Sequence, residues 1–293
     1  MNSIKLKSRA KINLSIDVLG KRLDGYHLIE MIMQTIDLFD RIKIFSLEED
    51  KIIIESNSED IPLNDSNIVY KAADLIKEQF NIKQGVRIYI EKNIPVAAGM
   101  AGGSSNAAAV LVGLNELWNL NLDKNELKDL GLKLGADVPF CIEGQACLAE
   151  NIGEKLTHIQ GLSQDAFILV CKPELFVSTK EIYEEVDSKI IEKRPDNKQL
   201  IQLLKDNNIQ SLANNMYNVL EEVTKEKYPI IKDIEKIMMD NNSLGAMMSG
   251  SGPTVFGLYD NEKDAENCKK ILLKNFKQVY VVKSHEKGVE IYE

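Results

Sequence analysis

The stretch Pro95-Val96-Ala97-Ala98-Gly99-Met100-Ala101-Gly102-Gly103-Ser104-Ser105-Asn106-Ala107-Ala108-Ala109 organises the first half of the chain. Ahead of it, residues 86–91 alternate apolar and polar, as a strand does. Behind it, residues 104–118 read as an Ala-rich helix. Glycines take positive φ and let a backbone approach a ligand closely. The unpaired amides of a helix N-terminus point at an anion, and the helix dipole adds attraction. Ser104 and Ser105 offer hydroxyls to phosphate oxygens or a metal, and Ala107 to Ala109 let the helix press against a sheet. No Gly-Lys-Ser/Thr follows, so this is no P-loop, and Ala101 breaks the spacing of a dinucleotide fingerprint. Strand, small-residue loop and helix start together predict a phosphate cradle rather than a plain turn.

Upstream, residues 3–18, 32–45 and 51–55 read as strands. Residues 67–80 read as a helix with Asp65 or Ser66 as N-cap. Downstream come a helix over 123–134 and a strand pair over 146–159 broken at Gly153. Past residue 160 the pattern changes. A strand at 166–170 leads into a charged, mostly helical region over 178–241. Strand, Gly-rich turn and strand then occupy 244–259, followed by a helix at 262–276 and a strand at 278–284. That order suggests a ferredoxin-like sandwich, so the class is α+β with two domains, 1–160 and 161–293.

The 293 residues include 36 Lys plus Arg and 45 Asp plus Glu, a net charge of −9. Such acidity argues against nucleic acid and anionic membranes as partners, which need clustered positive charge. No apolar run is long enough to span a bilayer. The N-terminus has no secretory pattern, so a cytoplasmic location is expected. Cys141, Cys147, Cys171 and Cys268 show no CxxC spacing and read as buried reduced thiols.

Other segments carry candidate chemistry. Ser249-Gly250-Ser251-Gly252-Pro253 is either a hairpin turn or a second backbone nest closing over the first loop. Asp137, in Gly135-Ala136-Asp137-Val138-Pro139-Phe140, is an exposed turn carboxylate or a general base in a cleft. Pro139 is expected to break the helix there. Lys11 and Asn13 share one face of a strand. Lys11 either snorkels to solvent or holds Asp137 ionised and supports phosphoryl charge. Tyr26 and His27 either anchor their loop or stack on and hydrogen-bond a ring. His158 and His285 lack recognisable partners and read as surface residues; Trp118 reads as core.

Taken in order, Ala10-Lys11-Ile12-Asn13-Leu14, Asp24-Gly25-Tyr26-His27, residues 95–105, residues 134–140 and residues 249–253 resemble the small-molecule kinases that include galactokinase, homoserine kinase and mevalonate kinase. The early segments and residues 135–140 narrow the resemblance to members acting on a cytidine-diphosphate-linked methylerythritol. It covers about residues 3–260. The resemblance implies an N-terminal domain like ribosomal protein S5 domain 2 that binds ATP and carries the catalysis. It implies a C-terminal ferredoxin-like domain that caps the substrate.

It further implies transfer of a phosphoryl group from ATP, with Mg²⁺, to the 2-hydroxyl of that alcohol, a step in non-mevalonate isoprenoid synthesis, by a monomer or weak homodimer. By position it makes Asp137 the base and Lys11 its partner. Pro95, Val96, Ala97, Ala98, Gly99, Met100, Ala101, Gly102, Gly103, Ser104 and Ser105 become the ATP-phosphate loop. Asn13, Tyr26, His27 and Tyr183 become substrate contacts: the histidine reads the base edge, and Tyr26 and Tyr183 stack on the cytosine, with Phe176 as rival to Tyr183. The metal ligands are left open. Two departures stand out. Ala101 replaces a glycine of many members, tolerable if its φ stays negative, and Asn106 replaces an aspartate, which weakens a metal contact or strengthens phosphate attraction. A sibling kinase for homoserine, mevalonate or a sugar, or a non-catalytic nucleotide-binding module, is the competing expectation.

Overall fold

A computed structural model describes residues 2–293. Two long strands, β1 (Ser3–Lys21) and β2 (His27–Leu47), form its spine as one antiparallel hairpin. β3 (Ile52–Ser56), α1 (Ile68–Phe80) and β4 (Gly85–Glu91) follow. Then come α2 (Gly102–Leu117), α3 (Lys124–Leu132), α4 (Val138–Glu143), β5 (Ala146–Asn151) and β6 (Lys155–Ile159). The second half runs β7 (Phe167–Lys172), α5 (Thr179–Asp187), α6 (Asn197–Lys205), α7 (Ile209–Asn215), β8 (Tyr217–Asn218), α8 (Val219–Lys227) and α9 (Ile230–Asp240). It ends with β9 (Gly245–Met248), β10 (Val255–Tyr259), α10 (Glu262–Leu272), β11 (Gln278–Val282) and β12 (Val289–Ile291).

An eight-stranded sheet has the order β12-β1-β2-β4-β3, with β5 on β2, β6 on β5 and β8 on β1. Ile4, Leu6, Ile42, Ile44 and Ile88 on one face meet the apolar sides of α1 to α4. Ala107, Ala108 and Ala109 are fully buried there, so α2 lies close on the sheet as its composition predicts.

The second sheet, β11-β7-β10-β9, is antiparallel throughout. Both its faces are covered, so its strands read as continuous apolar runs instead of alternating. Leu169, Cys171, Val255 and Tyr259 face the α9 and α10 side, while Ile168, Val170, Phe256 and Leu258 pack with Ile12, Leu14 and Ile32 of the first sheet. All four cysteines are free and buried. No helix among the described residues is long and apolar enough to cross a membrane.

Some expectations are corrected. The N-cap of α1 is Asn67, whose side chain accepts from Val69 N, not Asp65 or Ser66. α2 starts two residues early, at Gly102. Pro139 begins a helix rather than barring one: it sits in the first turn of α4, where the missing amide has no partner to lose. The short strands β8 and β12 carry no periodicity of their own and are made by pairing with β1.

Candidate active site

The alternation of β1 is interrupted between Arg9 and Lys11. A bulge reverses which side chains face which way. Before it, Ile4 and Leu6 point at α2; after it, Ile12 and Leu14 point at the second sheet, and Lys11 and Asn13 turn to the helical side. The bulge also frees backbone groups, and the Gly-rich loop takes them. Lys11 N donates to Met100 O at 3.2 Å, and Ser105 Oγ donates to Arg9 O at 2.7 Å.

The loop is therefore pinned to the strand that carries Lys11. Met100 is its buried anchor. Ala97, Gly99 and Ala101 all take positive φ, at 50°, 69° and 55°. Alternating left-handed residues of this kind aim successive amides at one point. The negative φ expected of Ala101 is thus not observed; as N-cap of α2 it bends the chain into the helix without a side-chain cap. Ser105 is fully buried and its hydroxyl is committed to Arg9, so Ser104 alone presents a free hydroxyl at this turn.

Beneath the loop lies a carboxylate that no local sequence pattern marks. Asp40 is fully buried and binds Lys92 Nζ at 2.5 Å, Asn93 N at 2.6 Å, Ile94 N at 2.8 Å and Asn106 Nδ2 at 2.9 Å. Burial raises its pKa above the ordinary value, against the pull of Lys92. Asn106 therefore serves as a donor in this knot and binds together the two ends of the loop.

Lys11 Nζ donates to Asn13 Oδ1 at 2.7 Å and lies 3.6 Å from Asp137 Oδ2. Asp137 precedes α4 as its N-cap yet makes no capping bond. Its carboxylate is thus not spent on the helix. Lys11 is 6% exposed and Asp137 32%, so the pair stands at the floor of an open cleft. Cys141, one turn into α4, is kept a neutral thiol by burial and by the Asp137 charge. The same two effects raise the pKa of the Tyr183 phenol above its ordinary value.

Two cavities meet at the loop. One, of about 660 Å³, is lined by Lys11, Asn13, Tyr26, His27, Asp137 and Tyr183. The other, of about 420 Å³, has apolar walls from Ile61, Pro62, Val69 and Ile90, with Lys92 and most of the loop. Gly99, Ala101 and Ser104 border both. Met100 and Ser105 border neither. The turn 249–252 closes over the loop from the second half: Gly250 and Ser251 border the larger cavity, and Ser249 Oγ donates to Gly99 O at 3.1 Å. Buried Asn218 holds that turn, donating to Met248 O at 3.0 Å and Gly250 O at 2.8 Å.

Tyr183 borders the cavity and Phe176 does not. Tyr183 also lies against His27, ring centroids 4.7 Å apart. His27 Nε2 is 2.7 Å from Asp187 Oδ1. The two remaining histidines do have partners: His158 Nε2 lies 2.5 Å from Glu143 Oε1, and His285 Nδ1 accepts from Lys287 N at 3.0 Å.

Comparison with known proteins bears on this arrangement. The family model described as GHMP kinases N terminal domain matches residues 67–145, and GHMP kinases C terminal matches residues 200–278. The chain is 65% identical over 291 residues to a protein of Clostridioides difficile (strain 630) named 4-diphosphocytidyl-2-C-methyl-D-erythritol kinase, covering 99% of this chain and 98% of the relative. A protein of the same name from Alkaliphilus metalliredigens (strain QYMF) is 51% identical, with 98% of each covered. A crystal structure of 4-(cytidine 5'-diphospho)-2C-methyl-D-erythritol kinase superposes with a TM-score of 0.81 at 28% identity, covering 96% of this chain and 99% of that one. The homoserine kinase of Cytophaga hutchinsonii shares the fold, with a TM-score of 0.77 at 19% identity over 100% of this chain and 98% of that one. The chain belongs to the 4-diphosphocytidyl-2-C-methyl-D-erythritol kinase family of the GHMP kinases.

Proposed function

We propose that this chain transfers the γ-phosphoryl group of ATP to the 2-hydroxyl of 4-diphosphocytidyl-2-C-methyl-D-erythritol, giving the 2-phosphate and ADP in the non-mevalonate isoprenoid pathway. The observation that carries the reading is the Lys11–Asp137 pair, 3.6 Å apart in the larger cavity, which meets the smaller one at Gly99, Ala101 and Ser104.

Phosphoryl transfer asks for position and charge more than for covalent help. The smaller cavity suits a nucleotide: apolar walls for the base, then the amides of 99–103 and the start of α2 for the phosphates. The larger suits the alcohol. Asp137 takes the proton of the attacking hydroxyl, and the Lys11 ammonium orients Asp137 and offsets charge on the phosphoryl in flight. Asn13 holds Lys11 and faces the acceptor's diphosphate, while Tyr26, His27 and Tyr183 hold its cytidine end. The residues between 95 and 105 act through backbone amides, with Ser104 adding a hydroxyl.

Mg²⁺ enters as the Mg·ATP substrate. Among the described residues no three His, Cys, Asp or Glu side chains gather as a metal site. Magnesium held mainly by phosphates and water needs no such cage. Asp137 and Ser104, which both line the larger cavity, would be the side-chain oxygens able to hold it, and the ion would supply charge neutralisation on the transferred group.

We place the domain division near residue 160, with 1–160 carrying ATP and catalysis and 161–293 capping the substrate, in a cytoplasmic monomer or weak homodimer. The second sheet is drawn wholly from 167–282, which supports this, while β8 and β12 return to brace β1. The test is ADP release with Mg·ATP and each alcohol in turn. The cytidyl compound is expected to be the one phosphorylated, with its 2-phosphate visible by ³¹P NMR. Turnover of homoserine, mevalonate or galactose without it would overturn the reading.

A further inference from the structure

Lys21 and His27 are cross-strand partners that close the β1–β2 hairpin at its turn. A single carboxylate from the other half of the molecule, Asp187, binds both: Lys21 Nζ to Oδ2 at 2.6 Å and His27 Nε2 to Oδ1 at 2.7 Å. Asp187 is the last residue of α5, and Tyr183, four residues earlier on the same helix, lies against the His27 ring. One helix face thus supplies both the carboxylate and the stacking surface. A negative charge at a helix C-terminus opposes the dipole, so this placement does not serve α5 itself.

A carboxylate can only accept. The Lys21 hydrogen bond holds Asp187 below the usual carboxylate range, so it is ionised, and the proton between it and the imidazole belongs to Nε2. In the neutral ring Nδ1 is then a lone-pair acceptor. Among the described residues nothing hydrogen-bonds that nitrogen, and His27 borders the larger cavity beside Tyr26.

We infer that Asp187 is a specificity-determining positioning residue: it fixes the His27 tautomer so that Nδ1 accepts a hydrogen bond from the exocyclic amine of an aminopyrimidine and meets the carbonyl of a ketopyrimidine lone pair to lone pair. This rests on the cytidine reading above and names what enforces it. Exclusion comes from an unpaired polar contact, the stronger form of discrimination, since a site built for a donor leaves its acceptor orphaned when the donor is missing.

The test uses CDP and UDP as competitive inhibitors against the cytidyl substrate, for the wild type and Asp187→Asn. In the variant the amide can turn either its oxygen or its nitrogen to Nε2, which frees the tautomer. The wild type is expected to prefer CDP, and Asp187→Asn to lose about tenfold or more of that preference with the KM for ATP unchanged. If wild-type CDP does not compete, the cytidine reading falls and this inference with it. If CDP is preferred and the variant keeps the preference, the cytidine reading stands and the role of Asp187 falls. A second readout needs no variant. Two-bond ¹H–¹⁵N correlations of the His27 ring in the whole enzyme should show protonated Nε2 and bare Nδ1; the opposite tautomer overturns the assignment.

Discussion

Gly99 and Ser249, 150 residues apart in sequence, are in backbone contact: a Cβ placed on Gly99 would stand 2.3 Å from Ser249 O. Neither partner is the end of a flexible side chain, and Gly99 φ is +69°. Gly99→Ala therefore meets both a clash and left-handed strain, which alone costs about 1–2 kcal/mol. The variant should unfold at lower temperature and lose most of its turnover, because the Gly-rich loop, proposed to hold the phosphates, and the 249–252 turn are forced apart. Calorimetry with steady-state kinetics checks both; wild-type turnover would show that this contact is not needed for activity.

Asp137→Asn keeps the shape of the site and removes the proposed proton acceptor. Its kcat should fall by about 10²–10⁴, the usual contribution of a general base, with KM values little changed. Lys11→Met should lower kcat as well and should also loosen Asn13, which loses its donor at 2.7 Å. Near-normal turnover of Asp137→Asn would remove it from the reaction.

Ala101 carries a methyl group at φ +55°. Ala101→Gly removes about 1–2 kcal/mol of left-handed strain and gives back about 0.4–1 kcal/mol in unfolded-state entropy, so a small net stabilisation is expected. The melting temperature should hold or rise by a degree or two with activity intact. A clear fall would mean that packing of the methyl outweighs its strain.

Glu143 ends α4, the helix that follows Asp137, and binds Lys124, Lys128 and His158. Burial alone would raise its pKa; the three partners bring it down to about 2 from an ordinary 4.5. A depressed carboxylate contributes stability that is complete above the unfolded value and is lost as pH falls through the folded one. Melting temperature should therefore fall as pH drops from 4.5 towards about 2, and Glu143→Gln should flatten that slope while lowering stability near neutrality. An unchanged acid limb in the variant would place the sensitivity elsewhere.

Much of this site is local in origin and so was readable along the chain. Small residues at 95–105 leave few conformations other than a tight loop into a helix, and the alternation of 3–18 places Lys11 and Asn13 together. What escaped was decided by pairing. Asp40 and Asp187 are ordinary acids in their own segments, and only a fold that brings Lys92 and Asn106, or Lys21 and His27, against them gives them a role. Ser105 and Ala101 depart from what their local sequence suggests because the demand on each comes from elsewhere: the bulge of β1 takes the Ser105 hydroxyl, and entry into α2 imposes the Ala101 φ.

Most element types, the tight small-residue loop at 95–105, the buried thiols and the shared face of Lys11 and Asn13 follow from periodicity, small-residue content or residue chemistry within a short window, whereas the joining of Asp137 to Lys11 as base and partner was implied only by the family resemblance. The tertiary structure alone decided the one-residue reversal of β1 that aims Lys11 at Asp137, the closure of Ser249 on Gly99 and the clamp of Asp187 on His27. These depend on contacts between residues far apart in the chain, where burial and hydrogen-bond satisfaction over the whole fold, rather than local preference, select the geometry.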